Sequence, residues 1–155
     1  MHSLLLFINL MVISSINIMQ IDAAKMFCGG YYTIFPQDCT VENLEVTKND
    51  TIEYALTNPD IRSMSFKRCK FAVFPSKIFA DFPNISQFRM ENNALRILNG
   101  KFFLKATKME YIFFNKNNIT TLKNKVFFNM PSLKMLYVNE NKVNFIGVNA
   151  FLVSK

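Results

Sequence analysis

The sequence predicts an α/β solenoid, a coil with a curved parallel β-sheet on its concave face and mostly loops or short helical turns on its convex face. Three observations predict it. Residues 61–155 repeat with a period of 24 and need no gaps. Within each period the apolar residues fall in fixed columns. Two further columns hold almost one residue type each, a side-chain amide and a phenylalanine. A period of this length kept over four turns marks one supersecondary unit stacked on copies of itself. An ordinary amphipathic segment repeats every 2 or 3.6 residues and would not hold that phase.

Residues 1–24 read as a secretory leader. From Leu4 to Ile21 nothing is charged, Leu4 to Ile8 and Leu10 to Ile13 form its apolar body, and Ala23 and Ala24 offer a cleavage site. Two features depart from the ideal: no Lys or Arg precedes the apolar run, and Ile21 or Asp22 stands three residues before the cut. The alternative is an uncleaved anchor of about 18 residues, near the lower limit for spanning a bilayer. Asn9, Ser14, Ser15, Asn17 and Gln20 make a stable span unattractive. Removal of the leader places the product outside the cell, where thiols oxidise.

Residues 25–60 form a flank and a capping repeat. Gly29, Gly30 and Pro36 mark irregular backbone. Val41, Leu44 and Val46 then fit offsets zero, three and five of a degenerate repeat of 20 residues, with Asn49 at offset eight. A terminal coil must cover the apolar end of a stack with a polar outer side, and this acidic segment suits that task.

The four full repeats span 61–84, 85–108, 109–132 and 133–155, starting at Ile61, Ile85, Met109 and Leu133. Offset three holds Met64, Phe88, Ile112 and Leu136; offset five holds Phe66, Met90, Phe114 and Val138. Residues two apart on a strand share a face, so these point inward and their neighbours outward. Offset ten adds Phe71, Leu95, Ile119 and Val143. Offset eight reads Cys69, Asn93, Asn117, Asn141: inside a tight turn an amide satisfies backbone N–H and C=O groups that lack partners, and cysteine does so less well. Offset eighteen reads Phe79, Phe103, Phe127, Phe151, a column of rings expected to stack along the returning side. Pro75, Pro83 and Pro131 disfavour long helices there. The last repeat stops without a closing flank, which leaves an open strand edge beside Leu133, Leu136 and Val138.

Catalytic chemistry finds no support in the sequence. His2, inside the leader, is the single histidine, and no nucleophile elbow, zinc-protease motif, C-x-x-C motif or phosphate loop occurs. No catalytic, cofactor or metal residue is assigned. Glu91, Glu110 and Glu140 read as solvated.

Binding is expected on the sheet face. Outward positions of neighbouring strands bring Tyr111, Phe113, Met135 and Tyr137 together, flanked by Arg89 and Lys116, a composition suited to protein contact. The competing reading is cross-strand pairing that only stabilises the sheet. Charge is divided: residues 26–60 hold one Lys against six acids, net −5, and residues 61–155 hold sixteen Lys and Arg against four acids, net +12. Lys77, Lys101 and Lys125 form a column at offset sixteen, where a polyanion or anionic membrane would relieve repulsion, unless it is simply a solubilising surface. Nucleic acid is an unsuitable partner for a secreted chain. Asn49, Asn84 and Asn118 head N-x-S/T sequons open to glycosylation in that compartment.

Residues 41–151 resemble the 24-residue extracellular class of leucine-rich repeats, as found in Toll-like receptor ectodomains and in insect secreted or cell-surface proteins of adhesion and immunity. The resemblance implies recognition of an extracellular protein on the concave face, and often dimerisation, here as a homo- or heterodimer through the open C-terminal edge. It also implies a cysteine-bearing N-terminal flank, which Cys28 and Cys39 match in position, although such flanks often carry four cysteines. Pairing Cys28 with Cys39 would close a short loop worth about 3 kcal/mol. The alternative joins Cys39 to Cys69 and leaves Cys28 free. Three functions are carried forward: a secreted protein-binding module, the N-terminal part of a membrane-anchored receptor or adhesion protein, and a binder of anionic glycans or membrane surfaces.

Overall fold

The computed structural model describes residues 23–26, 37–46, 51–54, 60–71 and 74–152. Most of the expected leader, together with Cys28 and Asn49, lies outside them. Among the described residues twelve short strands and one helical turn follow in chain order: β1 (Ala23–Met26), β2 (Asp38–Glu42), β3 (Glu45–Val46), β4 (Thr51–Tyr54), β5 (Ser63–Lys67), β6 (Lys70–Phe71), α1 (Ile78–Asp81), β7 (Gln87–Arg89), β8 (Ile97–Leu98), β9 (Tyr111–Phe113), β10 (Thr121–Leu122), β11 (Met135–Tyr137) and β12 (Phe145–Ile146).

The coil predicted from the period is the observed fold. β2, β5, β7, β9 and β11 form one parallel five-stranded sheet in sequence order. Its register joins Met64 to Phe88, Phe88 to Ile112 and Ile112 to Leu136, so residues 24 apart lie side by side. Alternation decides which face is which: Met64 and Phe66 are buried, and Ser63, Ser65 and Lys67 between them are not. On the far side β8, β10 and β12 stack as a second parallel sheet, and α1, between Pro75 and Pro83, is one short turn of helix. β1 pairs with β4, matching Ala23 to Thr51 and Ala24 to Ile52, so both candidate cleavage alanines lie on a paired strand.

The capping repeat needs a correction. Cys39 pairs with Met64 and Val41 with Phe66, so these two residues, rather than Leu44 and Val46, take offsets three and five. Val46 pairs with Phe71 at offset ten, and the first coil is 25 residues long, from Val41 to Phe66. Val41 and Val46 stand five apart, as do offsets zero and five and offsets five and ten, so apolarity alone fits both registers. The inward residue that separates them is Cys39, 1% exposed.

Every coil turns by the same device. The residue at offset seven adopts a left-handed conformation, with φ of 54° at Arg68, 57° at Asn92, 55° at Lys116 and 54° at Glu140; Asn43, in the capping coil, has φ 56°. For a residue with a Cβ this costs roughly 1–2 kcal/mol. The amide that follows offsets the cost. Asn93 Oδ1 accepts from Cys69 N at 2.7 Å, and its Nδ2 donates to Phe66 O at 2.9 Å and Glu91 O at 2.6 Å. One coil on, Asn117 Oδ1 accepts from Asn93 N (3.0 Å) and Leu95 N (3.1 Å), and Nδ2 donates to Met90 O at 2.7 Å. Asn141 repeats the pattern against Ile119 N and Phe114 O. Each amide thus ties its own turn to the coil before it. Cys69 keeps the direction of the contact, donating to Val41 O, but over a longer 3.6 Å.

Rings fill the interior. Phe79, Phe103 and Phe127 succeed one another with centroids 6.0 Å apart, and Phe151 continues the column 5.3 Å beyond Phe127. The stack is dry until its last coil, where Phe151 is 57% exposed and Phe145, Ile146, Val148 and Leu152 are exposed as well. No further coil covers them among the described residues. No helix among the described residues is long and apolar enough to cross a membrane.

Candidate functional site

The outward columns of the concave sheet hold the side chains singled out from the sequence. Offset four brings Ser65, Arg89, Phe113 and Tyr137 side by side across β5, β7, β9 and β11. Three of these form one stack. The Arg89 guanidinium lies 3.8 Å above the centre of the Phe113 ring, and Phe113 stacks on Tyr137 with centroids 4.8 Å apart and ring planes inclined by 4°. A cation over a ring and two parallel rings each stabilise the face they build.

Offset two adds Gln87, Tyr111 and Met135. The Tyr137 hydroxyl donates to Met135 Sδ at 3.6 Å, which closes the two columns on each other at the last strand. The Gln87 carboxamide, with its oxygen turned towards Arg89, accepts from Nε at 3.2 Å and from Nη2. Met135 is exposed, while Tyr111, Phe113 and Tyr137 are half-buried. Arg89, Tyr111, Phe113, Met135 and Tyr137 therefore share one surface.

Lys116 follows at the exposed end of the same turn. It lies in the left-handed turn at offset seven and pairs with Glu140 at 3.8 Å. The lysine over Tyr111 is Lys134, 6.0 Å from the ring centre. Its ammonium donates to Glu110 Oε2 at 2.9 Å, and that hydrogen bond and charge raise its pKa above the ordinary lysine value. Gln87 falls on an outward offset in the sequence, whereas Lys134 does not and was missed. Glu110 and Lys134 sit at offset one, 24 residues apart and opposite in charge, and that column carried the signal.

A second row crosses the face at offset six. Asn115 Nδ2 donates to Glu91 Oε1 at 2.9 Å, and Asn139 N donates to Asn115 Oδ1 at 2.9 Å. At the N-terminal side Glu42 receives Arg68 at 2.7 Å and Lys67 at 3.4 Å, joining the acidic flank to the basic repeats.

Other sequence-selected residues lie elsewhere. Asn84 is half-buried at the passage between coils and accepts from Lys108 Nζ at 2.6 Å. Asn118 is half-buried, its turn held to the previous coil through its N–H on Leu95 O at 2.9 Å. Lys77, Lys101 and Lys125 are exposed on the convex side; Lys77 pairs with Asp81 at 2.9 Å, and Lys125 lies 5.5 Å over the Phe128 ring. Cys39 is disulfide-bonded and Cys69 is a free, buried thiol, so a bond between these two is not formed. Burial raises the Cys69 pKa above that of an ordinary thiol. Among the described residues no cluster of three or more His, Cys, Asp or Glu side chains could hold a metal.

A stacked parallel coil with a side-chain mosaic on its concave sheet defines a repeat scaffold of the binding class. Residues 83–143 match the family model for the leucine rich repeat, and with the stacked strands that match supports a leucine-rich repeat protein. Domains of this kind generally bind protein partners. No curated protein and no solved structure matches the chain.

Proposed function

We propose that the chain is a secreted binding module that recognises an extracellular protein, serving in adhesion or immunity, with Arg89, Tyr111, Phe113, Met135 and Tyr137 as its contact surface. The observation that carries this reading is the Arg89–Phe113–Tyr137 stack, with Tyr111 and Met135 beside it, on a sheet face whose other outward side chains are polar. Aromatic side chains lose little conformational freedom on binding, and aromatics together with arginine dominate interface energetics. Part of the stacking serves the sheet itself; the exposed edge of Met135 and the half-exposed rings remain available to a ligand. Secretion rests on the leader reading, and with it go the Cys28–Cys39 bond and glycosylation at Asn49, Asn84 and Asn118.

The test is capture of a partner from extracellular fluid by the intact chain and by the Tyr111→Ala/Tyr137→Ala variant. Loss of capture with an unchanged unfolding midpoint supports the surface. Capture that survives both substitutions rejects it.

A second reading is favoured by the open last coil. Phe145, Ile146, Val148 and Phe151 are exposed there, and β11 has an unpaired edge among the described residues. A following coil would cover them, as in the N-terminal part of a longer receptor, and so would a partner chain joined edge to edge. A transcript that continues with further repeats and an apolar span supports the receptor. Retention on heparin that is lost when Lys77, Lys101 and Lys125 become Glu would support an anionic glycan or membrane surface instead.

A further inference from the structure

Side chains shrink along the offset-four column. Tyr137 and Phe113 are rings, Arg89 a long cation, and the next two places hold only Ser65 and Thr40. One face of the Arg89 guanidinium is covered by Phe113. On its other side no bulky residue stands, and a hollow of about 280 Å³ opens, lined chiefly by Ser65, Lys67, Arg68, Arg89, Glu91 and Asn92.

The charges around this hollow do not balance. Lys67 and Arg68 share the single carboxylate of Glu42, while Lys116 pairs with Glu140 and Lys134 with Glu110. Among the described residues Arg89 has no carboxylate within ion-pairing distance. Glu91, the acid in the hollow, is engaged by Asn115. The Gln87 oxygen occupies the Nε–Nη2 edge of the guanidinium, and the Nη1–Nη2 edge has no acceptor among the described residues. A guanidinium stacked on a ring and steered by an amide is already oriented, so a planar acid can meet two of its N–H groups with little further ordering.

We propose that this hollow is a subsite for an acidic side chain of the protein ligand. A carboxylate enters it and accepts two hydrogen bonds from Arg89, Lys67 and Arg68 add attraction, and an adjoining apolar residue of the ligand lies against the Phe113 and Tyr137 rings. Glu91, which lines the hollow, opposes a dianion more than a single charge, and this favours a singly charged carboxylate over phosphate. The proposal rests on the concave-face reading and names the chemistry of its ligand.

The probes are N-acetyl-Asp-Phe-amide, N-acetyl-Asn-Phe-amide and inorganic sulfate, titrated into the intact chain and followed by NMR. The Asp peptide should bind about tenfold more tightly than the Asn peptide, since the charge-assisted bidentate contact is lost in the latter. Arg89→Gln should abolish that preference, and Arg89→Lys should weaken it, because an ammonium lacks the fork. Ser65→Leu, which fills the hollow and leaves every charge in place, should weaken it too. Near-UV circular dichroism identifies variants that keep the fold. Equal binding of the two peptides to the unsubstituted chain overturns the proposal, as does a preference that survives Arg89→Gln in a folded variant. Sulfate that binds more tightly than the Asp peptide overturns the carboxylate assignment. Indifference to Asp against Asn, combined with loss of partner capture on Tyr111→Ala/Tyr137→Ala, rejects the subsite and leaves the wider surface standing.

Discussion

Asn93→Asp changes one NH2 group into an oxygen at the most buried rung of the amide ladder, where Asn93 is 7% exposed. The remaining oxygen still accepts from Cys69 N, found at 2.7 Å. The new one faces Phe66 O and Glu91 O, which the amide meets at 2.9 and 2.6 Å as donor. Two hydrogen bonds become oxygen–oxygen repulsions, and at about 1–2 kcal/mol for each carbonyl left without a donor the cost near neutral pH is about 3 kcal/mol. Burial and the facing carbonyls raise the folded-state pKa of the introduced carboxyl above its unfolded value. A raised folded pKa means that stability is retained below the unfolded value, near 3.9, and lost as pH rises through the folded one. The deficit relative to the parent chain should therefore be largest at pH 7 and shrink towards pH 4, where a protonated carboxyl donates one bond again. Urea unfolding of both chains at matched pH, with exposed Asn144→Asp as control, measures it. A variant as stable as the parent at pH 7, or a deficit that widens on acidification, would refute the ladder as the device that fastens coil to coil.

Three further outcomes are expected from the same geometry. Phe103→Ala, at a ring with no exposed surface that touches Phe79, Phe102, Phe114 and Phe127, should cost about 3–5 kcal/mol, and Phe151→Ala under 1 kcal/mol, both read from denaturant midpoints. Lys105 is exposed with φ of 70°, so Lys105→Gly should raise stability by about 0.5–1 kcal/mol while Lys101→Gly, outside the left-handed region, lowers it. Cys69 should resist iodoacetamide in the native chain and react at least a hundredfold faster in urea, since burial both shields the thiol and raises its pKa. Because that pKa is raised on folding, the associated stability is complete below the ordinary thiol range and falls away as pH climbs through the folded value.

Much of this was legible beforehand because a solenoid converts sequence distance into spatial adjacency. Once Ile61, Ile85, Met109 and Leu133 are aligned, each column is a contact: Phe79 on Phe103 on Phe127, Asn117 on Asn93, and Tyr137 beside Phe113. The capping coil was misread for the same reason in reverse. With one inexact copy, Val41 and Val46 satisfied two registers, and only pairing against Met64 and Phe66 selected between them. Lys116 falls on an outward offset in the sequence, but its pairing with Glu140 from a left-handed turn depends on backbone conformation that the period does not specify.

By itself the sequence determined the period, the inward and outward faces, the amide and phenylalanine columns and the candidate aromatic surface, since all of these follow from which residues recur every 24 positions. Tertiary structure decided the rest: that Gln87 steers Arg89 onto Phe113, that Ser65 leaves a hollow beside it, and that Lys134 rather than Lys116 reaches Tyr111. These depend on side-chain length and direction across neighbouring strands, and a periodic pattern specifies where a side chain starts but not where its far end comes to rest.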